Sequence, residues 1–186
     1  MIDGYVEKVL SGNTDAFNFI VTELKDDAYS LAISIVKDEF EAQEVVQKAF
    51  VKAYLKLDTF KANSSFSTWF HRILVNEAFY KKRKQRKESE FIKSISEEAS
   101  TEKINNTLSK LEEEFQRYYI NKALIELPVN HSLVMKLFYL KEYKIDEISE
   151  ITGWSDSNIK VMLHRARKKM KQILSDLSNV DKEELY

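Results

Sequence analysis

Cysteine is missing from the 186 residues, which removes disulfide frameworks, thiolate metal sites, nucleophilic thiols and a thiol-based redox sensor. Proline occurs once and glycine three times. Good helix formers take their place, so an all-α fold of long helices with short connections is expected. Long apolar runs are missing as well. No run approaches the roughly 20 residues that span a bilayer. The opening MIDGYVEKVL lacks a basic start followed by an apolar signal region, which implies a cytoplasmic chain without direct membrane insertion. Nor is there a glycine-rich phosphate loop, a metal-spaced cluster or a nucleophile elbow, so a non-enzyme without cofactor or metal is expected. His71, His131 and His164 lie far apart in sequence. An exposed or core role is the default for each, with nucleic-acid contact open to His71 and His164. Glu147 and Glu150, at helical spacing, read as a solvated face rather than an acid-base pair.

Hydrophobic residues make up 44% and charged residues 32%, and the length fits one domain or two small ones. The net charge of −1 hides a segregation. Lys81, Lys82, Arg83, Lys84, Arg86 and Lys87 form one basic block. Lys160, Arg165, Arg167, Lys168, Lys169 and Lys171 form another, while Glu97 to Glu114 and the last eleven residues are acidic. Two separate basic sites fit two separate contacts with a polyanion.

The chain is organised around Phe60 to Arg83, FKANSSFSTWFHRILVNEAFYKKR. A helix starting near Ser65, whose hydroxyl accepts a free backbone N–H, places Phe66, Trp69, Phe70, Ile73 and Leu74 on a core stripe. Arg72, Asn76, Tyr80 and Arg83 follow another stripe. That second set offers a cation, an amide, a ring and a cation, which suits a strand whose bases stack or are read at their edges. An ordinary amphipathic helix with a solvated basic end explains the same pattern.

Upstream, a short helix ends near Ser11, and Gly12-Asn13-Thr14-Asp15 breaks and re-caps the chain. Phe17, Ile20, Val21, Leu24, Ala28, Leu31 and Ile35 keep a helical period to about Lys37, with room for a kink near Asp26 and Asp27. Asp38 caps the next helix, expected from Glu39 to Leu57. Its inward face carries Ala42, Val45, Val46, Ala49, Phe50, Ala53, Tyr54 and Leu57. Glu44, Lys48, Val51 and Leu55 fall opposite, with Gln47 at the edge. Either this is a partner surface, or the helix is central and touched on both sides by its own domain.

Downstream of the basic block, Ser, Glu, Lys and Asn dominate and apolar residues are sparse, as in a linker. The expected division is 1–87, a charged linker 88–114, and 115–186. Phe115, Tyr119, Ala123, Leu124 and Leu127 restart the period and Pro128 stops it. Asn130 caps a helix with Leu133, Val134, Leu137, Phe138 and Leu140 inward, and Ile145 to Thr152 forms a shorter one. Gly153-Trp154-Ser155 makes a tight turn into a last helix, a helix-turn-helix signal. In that last helix Ile159, Leu163, Ala166, Met170 and Ile173 face inward. Ser157, Lys160, Val161, His164, Arg165 and Lys168 face outward, as on a recognition helix in the major groove.

Taken in order, GNTDAF, AQEVVQKAFVKAY, FKANSSFSTWFHRILVN with its basic sequel, and LPVNHSLVMKLFYLKEYKIDEISEITGWSDSNIKVMLHRARKKM resemble the sigma-70 family of bacterial transcription initiation factors, specifically its extracytoplasmic-function group. The resemblance implies a first domain that binds core RNA polymerase and opens the minus-ten promoter element, and a second that binds the minus-thirty-five element as duplex. It maps polymerase binding onto Glu44, Gln47 and Lys48, to which the helix geometry adds Val51 and Leu55. The minus-ten set becomes Lys61, Asn63, Ser64, Ser65, Trp69, Arg72, Asn76, Tyr80 and Arg83. The minus-thirty-five set becomes Ser157, Asn158, Lys160, Val161, His164, Arg165 and Lys168. Gln43 and Lys48 stand where the family commonly has acids. An anti-sigma factor is an implied partner beside polymerase and promoter DNA. A helix-turn-helix regulator of another class is the second reading, and a helical adaptor with incidental basic faces the third.

Overall fold

The computed structural model describes residues 2–93 and 113–183, with side chains for 2–86 and 118–176. The helices are α1 (Ile2–Leu10), α2 (Ala16–Val36), α3 (Glu39–Leu55), α4 (Phe66–Lys93), α5 (Glu113–Glu126), α6 (Val129–Met135), α7 (Ile145–Thr152) and α8 (Asp156–Glu183). A 3-10 turn at Leu57–Thr59 follows α3, and α6 continues into a π turn at Lys136–Leu140. No strand occurs among the described residues.

Local chemistry sets the ends of these helices. Asp38 accepts the Glu41 N–H at 2.8 Å and so starts α3. Ser65 Oγ accepts the Thr68 N–H at 3.1 Å and starts α4. Each satisfies one of the four free N–H groups at a helix start. Gly153 closes α7 at φ 73, a left-handed turn that glycine adopts cheaply, and donates its N–H to the Ser149 carbonyl at 2.8 Å. α2 runs unbroken through Asp26 and Asp27. α3 ends two residues before Leu57, whose side chain is buried from the 3-10 turn instead. The helix after Pro128 begins at Val129, so Asn130 is not its cap. Proline fixes its own φ and needs no donor, which lets the next residue start the helix. Leu140, expected inside, is exposed, because the π turn shifts its register out of the α6 stripe. α4 continues to Lys93, and residues 94–112 of the expected linker lie outside the described ones.

α2, α3 and α4 pack on one another, with α1 across α2. Their core holds Ile20, Leu31, Ile35, Phe66, Phe70 and Leu74, all essentially solvent-free. Phe50 stacks on Phe70 with ring centroids 4.5 Å apart. α5, α6 and α7 gather around α8, burying Leu133, Leu137, Ile148, Ile151 and Ile159. Each such side chain contributes roughly 1.5 to 3 kcal/mol by leaving water.

The two groups of helices meet through α4 on α7 and α2 on α6. His71 Nδ1 and the Tyr143 hydroxyl are hydrogen-bonded at 2.8 Å. Lys136 Nζ donates to the Ser30 carbonyl at 2.8 Å and Lys37 Nζ to the Ile125 carbonyl at 3.2 Å. Lys141 pairs with Asp27, and the Phe79 and Trp154 rings meet edge to face. His71, left open between core and nucleic acid by its sequence, is a buried junction residue.

Burial holds the His71 imidazole down to about 4; the Asp27 charge opposes this and Lys141 adds to it. An unfolded histidine takes up a proton near 6.5, so stability is complete above that pH and falls as pH drops toward 4. The predicted loss at pH 4 is about 3 kcal/mol, from 1.36 kcal/mol per pKa unit. Urea unfolding at pH 7 and pH 4 measures it. A His71→Leu chain should show a markedly flatter dependence; an unchanged slope would assign the acid sensitivity elsewhere.

Candidate functional site

The inward face of α3 buries Ala42, Val45, Ala49, Phe50 and Ala53 against α2 and α4. The opposite face is not covered by its own domain. Val51 is 53% exposed and Leu55 71% exposed, which disposes of the central-helix explanation. Gln47 and Lys48 are exposed too. Tyr54, expected inside, is also exposed, its ring meeting Phe17 edge-on at 5.1 Å. The sequence reading missed Phe40, which is 78% exposed. Positions 40, 44, 47, 51 and 55 share one helix face about 22 Å long, a periodicity that was available to find it. Beside this stripe, Val21, Lys25 and Tyr29 of α2 and Val46, Phe50 and Val51 of α3 line an open groove of about 460 Å³.

Glu44 is not a free acid on this stripe. Lys48 Nζ and Lys81 Nζ each lie 2.5 Å from its carboxylate, and Glu41 joins Lys81 at 3.4 Å. Hydrogen bonds from Lys48, then Lys81, pull the Glu44 carboxyl down to about 2. The face therefore presents Phe40, Val51 and Leu55 around an internally neutralised acid.

On α4, Phe66, Phe70 and Leu74 are buried as the spacing predicts, with Trp69 and Ile73 half-buried. Arg72, Asn76, Tyr80 and Arg83 are all exposed in one row. Trp69 packs on Phe60 and Phe66, with ring centroids 5.5 Å from each, and so ties together the two residues that flank the loop Lys61 to Ser65. Lys61, Asn63 and Ser65 of that loop are exposed. Ala62 sits at φ 53, a left-handed conformation that costs a non-glycine residue roughly 1 to 2 kcal/mol. Ser64 donates its hydroxyl to Glu150 of α7 at 2.9 Å. Glu150 is thus half-buried and partnered, not the solvated carboxylate expected.

The first basic block does not act as one patch. Lys81 is held by Glu44 and Glu41, and Lys82 turns inward to the Ile35 carbonyl at 2.8 Å. Arg83 remains exposed beside Phe79, with which it lines an open hollow of about 380 Å³.

On α8, Ile159, Leu163, Ala166 and Ile173 are buried, Met170 is half-buried, and Met162 joins them at the flank. Ser157, Asn158, Lys160, Val161, His164, Arg165 and Lys168 are exposed. The turn before α8 is pinned by Ser149 Oγ donating to the Trp154 carbonyl at 2.7 Å and by the Trp154 N–H donating to Thr152 Oγ1 at 3.2 Å. Arg167 is tied back to the Leu163 carbonyl at 3.2 Å. Among the described residues no His, Asp or Glu group is placed to hold a metal, and no helix is long and apolar enough to cross a membrane.

Residues 20–88 match the family model of sigma-70 region 2, and residues 117–170 that of sigma-70 region 4. The chain is 30% identical to the ECF RNA polymerase sigma factor SigW of Bacillus subtilis, over 95% of this chain and 98% of that one. It is 33% identical to RNA polymerase sigma factor SigV of the same organism, over 81% of this chain and 86% of the relative. The sigma factor RpoE of Bartonella quintana, solved with the anti-sigma factor NepR, shares the fold at a TM-score of 0.68 and 23% identity, covering 86% of this chain and 96% of its own.

The two lysines on Glu44 make a measurable prediction. In a carboxyl-detected NMR titration Glu44 should ionise well below the ordinary glutamate range. Lys48→Met should move it up, and Lys81→Met should do the same. A Glu44 midpoint within the ordinary range in the unsubstituted chain would show both lysines to be unpaired in solution.

Proposed function

Since the chain belongs to the sigma-70 family of RNA polymerase sigma factors, in its extracytoplasmic-function group, we propose that α3 docks it on core polymerase, that α4 with the preceding loop holds the opened minus-ten strand, and that α8 reads the minus-thirty-five duplex. The protein is a transcription initiation factor and not an enzyme. Its working partners in this reading are core polymerase, promoter DNA and an anti-sigma factor, met in the cytoplasm. The functional division is 1–87, 88–114 and 115–186.

One observation carries the assignment of roles. Arg72, Asn76, Tyr80 and Arg83 stand in a single solvent-facing row on the helix whose opposite side is the core of the first bundle. A strand laid along that row meets a cation, an amide, a ring and a cation in turn. Stacking and edge contacts of this kind favour unpaired bases over duplex. α8 differs: its small, amide and cationic side chains cluster near its N-terminal half, as duplex reading in the major groove requires. The α3 stripe then has a purpose that a helix-turn-helix regulator of another class would not give it.

Run-off transcription with purified core polymerase and a genomic promoter pool tests the whole reading. Discrete start sites are expected only when the protein is added, and none at all would overturn it.

Two substitutions divide the surfaces. Leu55→Lys should weaken core-polymerase binding about tenfold or more, since losing a buried Leu contact costs roughly 1.5 to 3 kcal/mol and each 1.4 kcal/mol is tenfold. Phe40→Ala should weaken it in the same sense. Unchanged affinity in both folded variants would remove α3 from the interface.

Asn76→Ala should leave assembly on polymerase intact and impair opening, read as lower permanganate reactivity of unpaired thymines. Normal reactivity would take Asn76 out of the strand-holding row.

A further inference from the structure

We propose that Glu44, which the family resemblance maps to the polymerase interface, is instead a positioning residue for the strand-holding row: through Lys81 it fixes the far half of α4, and with it Tyr80 and Arg83. The inference rests on the proposed roles of α3 and α4 and changes what one residue of α3 does within them.

The carboxylate is already engaged through both oxygens. Lys48 Nζ donates to Oε1 and Lys81 Nζ to Oε2, each at 2.5 Å. Hydrogen bonds between charged groups are roughly twice as strong as neutral ones, and a partner's cation has to share or displace them. Glu41, 3.4 Å from Lys81, completes a set of two acids and two bases without net charge. Such a set exerts little long-range attraction on a charged partner. Phe40, Val51 and Leu55 remain the anchors that this face offers to polymerase.

α4 is anchored in the core by Phe66, Phe70, Leu74, Val75 and Ala78, and past Ala78 none of its side chains is buried among the described residues. Tyr80 and Arg83 belong to that second stretch. Arg83 stands about 20 Å along the helix from Phe70, at 1.5 Å per residue. So far from the stacked rings, the roll of the helix needs its own constraint. Lys81 supplies one to α3, and Lys82 another by donating to the Ile35 carbonyl of α2 at 2.8 Å. Lys52 of α3 and Glu77 of α4, 2.5 Å apart, make the same kind of bridge one turn earlier. The bridged residues sit next to members of the row: Glu77 follows Asn76 and Lys81 follows Tyr80. At about 100° per residue, each bridge sets the direction in which its neighbour points. With 22% of its side chain exposed, Lys81 lies against α3 rather than out toward a strand.

Full-length variants separate this role from a polymerase contact. Glu44→Ala keeps a strong helix former in α3, and Lys81→Met keeps an unbranched stem in α4. Affinity for core polymerase should stay within about twofold of the unsubstituted chain in both. Promoter opening, read by permanganate at unpaired thymines, should fall at least about threefold in Glu44→Ala and at least about fivefold in Lys81→Met. The double variant should open no worse than Lys81→Met alone, because substitutions that remove the same bond do not add. Lys81→Arg, whose planar fork can meet both acids, should recover opening to within about twofold. Weakened polymerase binding in either single variant would put the bridge inside the partner interface and overturn the proposal. A loss of opening confined to Lys81→Met would do the same by placing that lysine on the strand itself, as would losses that multiply in the double variant. Normal opening in both single variants would strip Glu44 of the role. No start sites with the unsubstituted chain would instead remove the functional reading on which the inference rests.

Discussion

The stacking of Phe50 on Phe70, with centroids 4.5 Å apart, locks α3 and α4 in one rotational setting, and the outward faces of both helices follow from it. With Phe66, Phe70 and Leu74 turned into the core, Arg72, Asn76, Tyr80 and Arg83 have only solvent to face. With Ala49, Phe50 and Ala53 turned in, Phe40, Val51 and Leu55 must point out. The surfaces proposed to meet polymerase and DNA are complements of the core, and a truncation such as Phe70→Ala, which at a buried site costs about 3 to 5 kcal/mol, would unset both together.

Backbone carbonyls near helix C-termini explain how the positive charge is distributed. The last turn of a helix carries carbonyls without intrahelical partners and a partial negative charge. Lys82 reaches the Ile35 carbonyl near the end of α2, and Lys37 reaches the Ile125 carbonyl near the end of α5. Lysines that look in sequence like parts of a nucleic-acid patch, or like ordinary solvated charges, are spent on holding helices together. Arg83 stays exposed, and a short basic run thus divides into members that hold helices together and members that face solvent, according to the direction each side chain takes.

Core rows were legible because 3.6-residue periodicity is a local property: Phe66, Phe70, Leu74 and Ile159, Leu163, Ala166 lie where spacing put them. Caps were legible for the same reason at Asp38, Ser65 and Gly153. Exceptions came from side chains whose hydrophobicity misstates their position. Tyr54 and Leu140 were placed inside and are exposed, while Phe40 was passed over and is exposed most of all. The junction left no trace in the sequence. His71 and Tyr143 are 72 residues apart, and Ser64 and Glu150 are 86 apart. Neither pairing has a periodic signature, because each depends on how two finished bundles meet.

α4 has no idle side. One face is core; a second, with His71 and Phe79, meets the other bundle; the third is the exposed row ending at Arg83. For a lineage adapting to new promoters, this narrows the accessible changes. On the proposed reading, substitutions that retune strand recognition can accumulate only along one row and the short loop before it. Everywhere else on the helix they register first as lost stability or altered domain docking, so drift in specificity is channelled through a handful of positions.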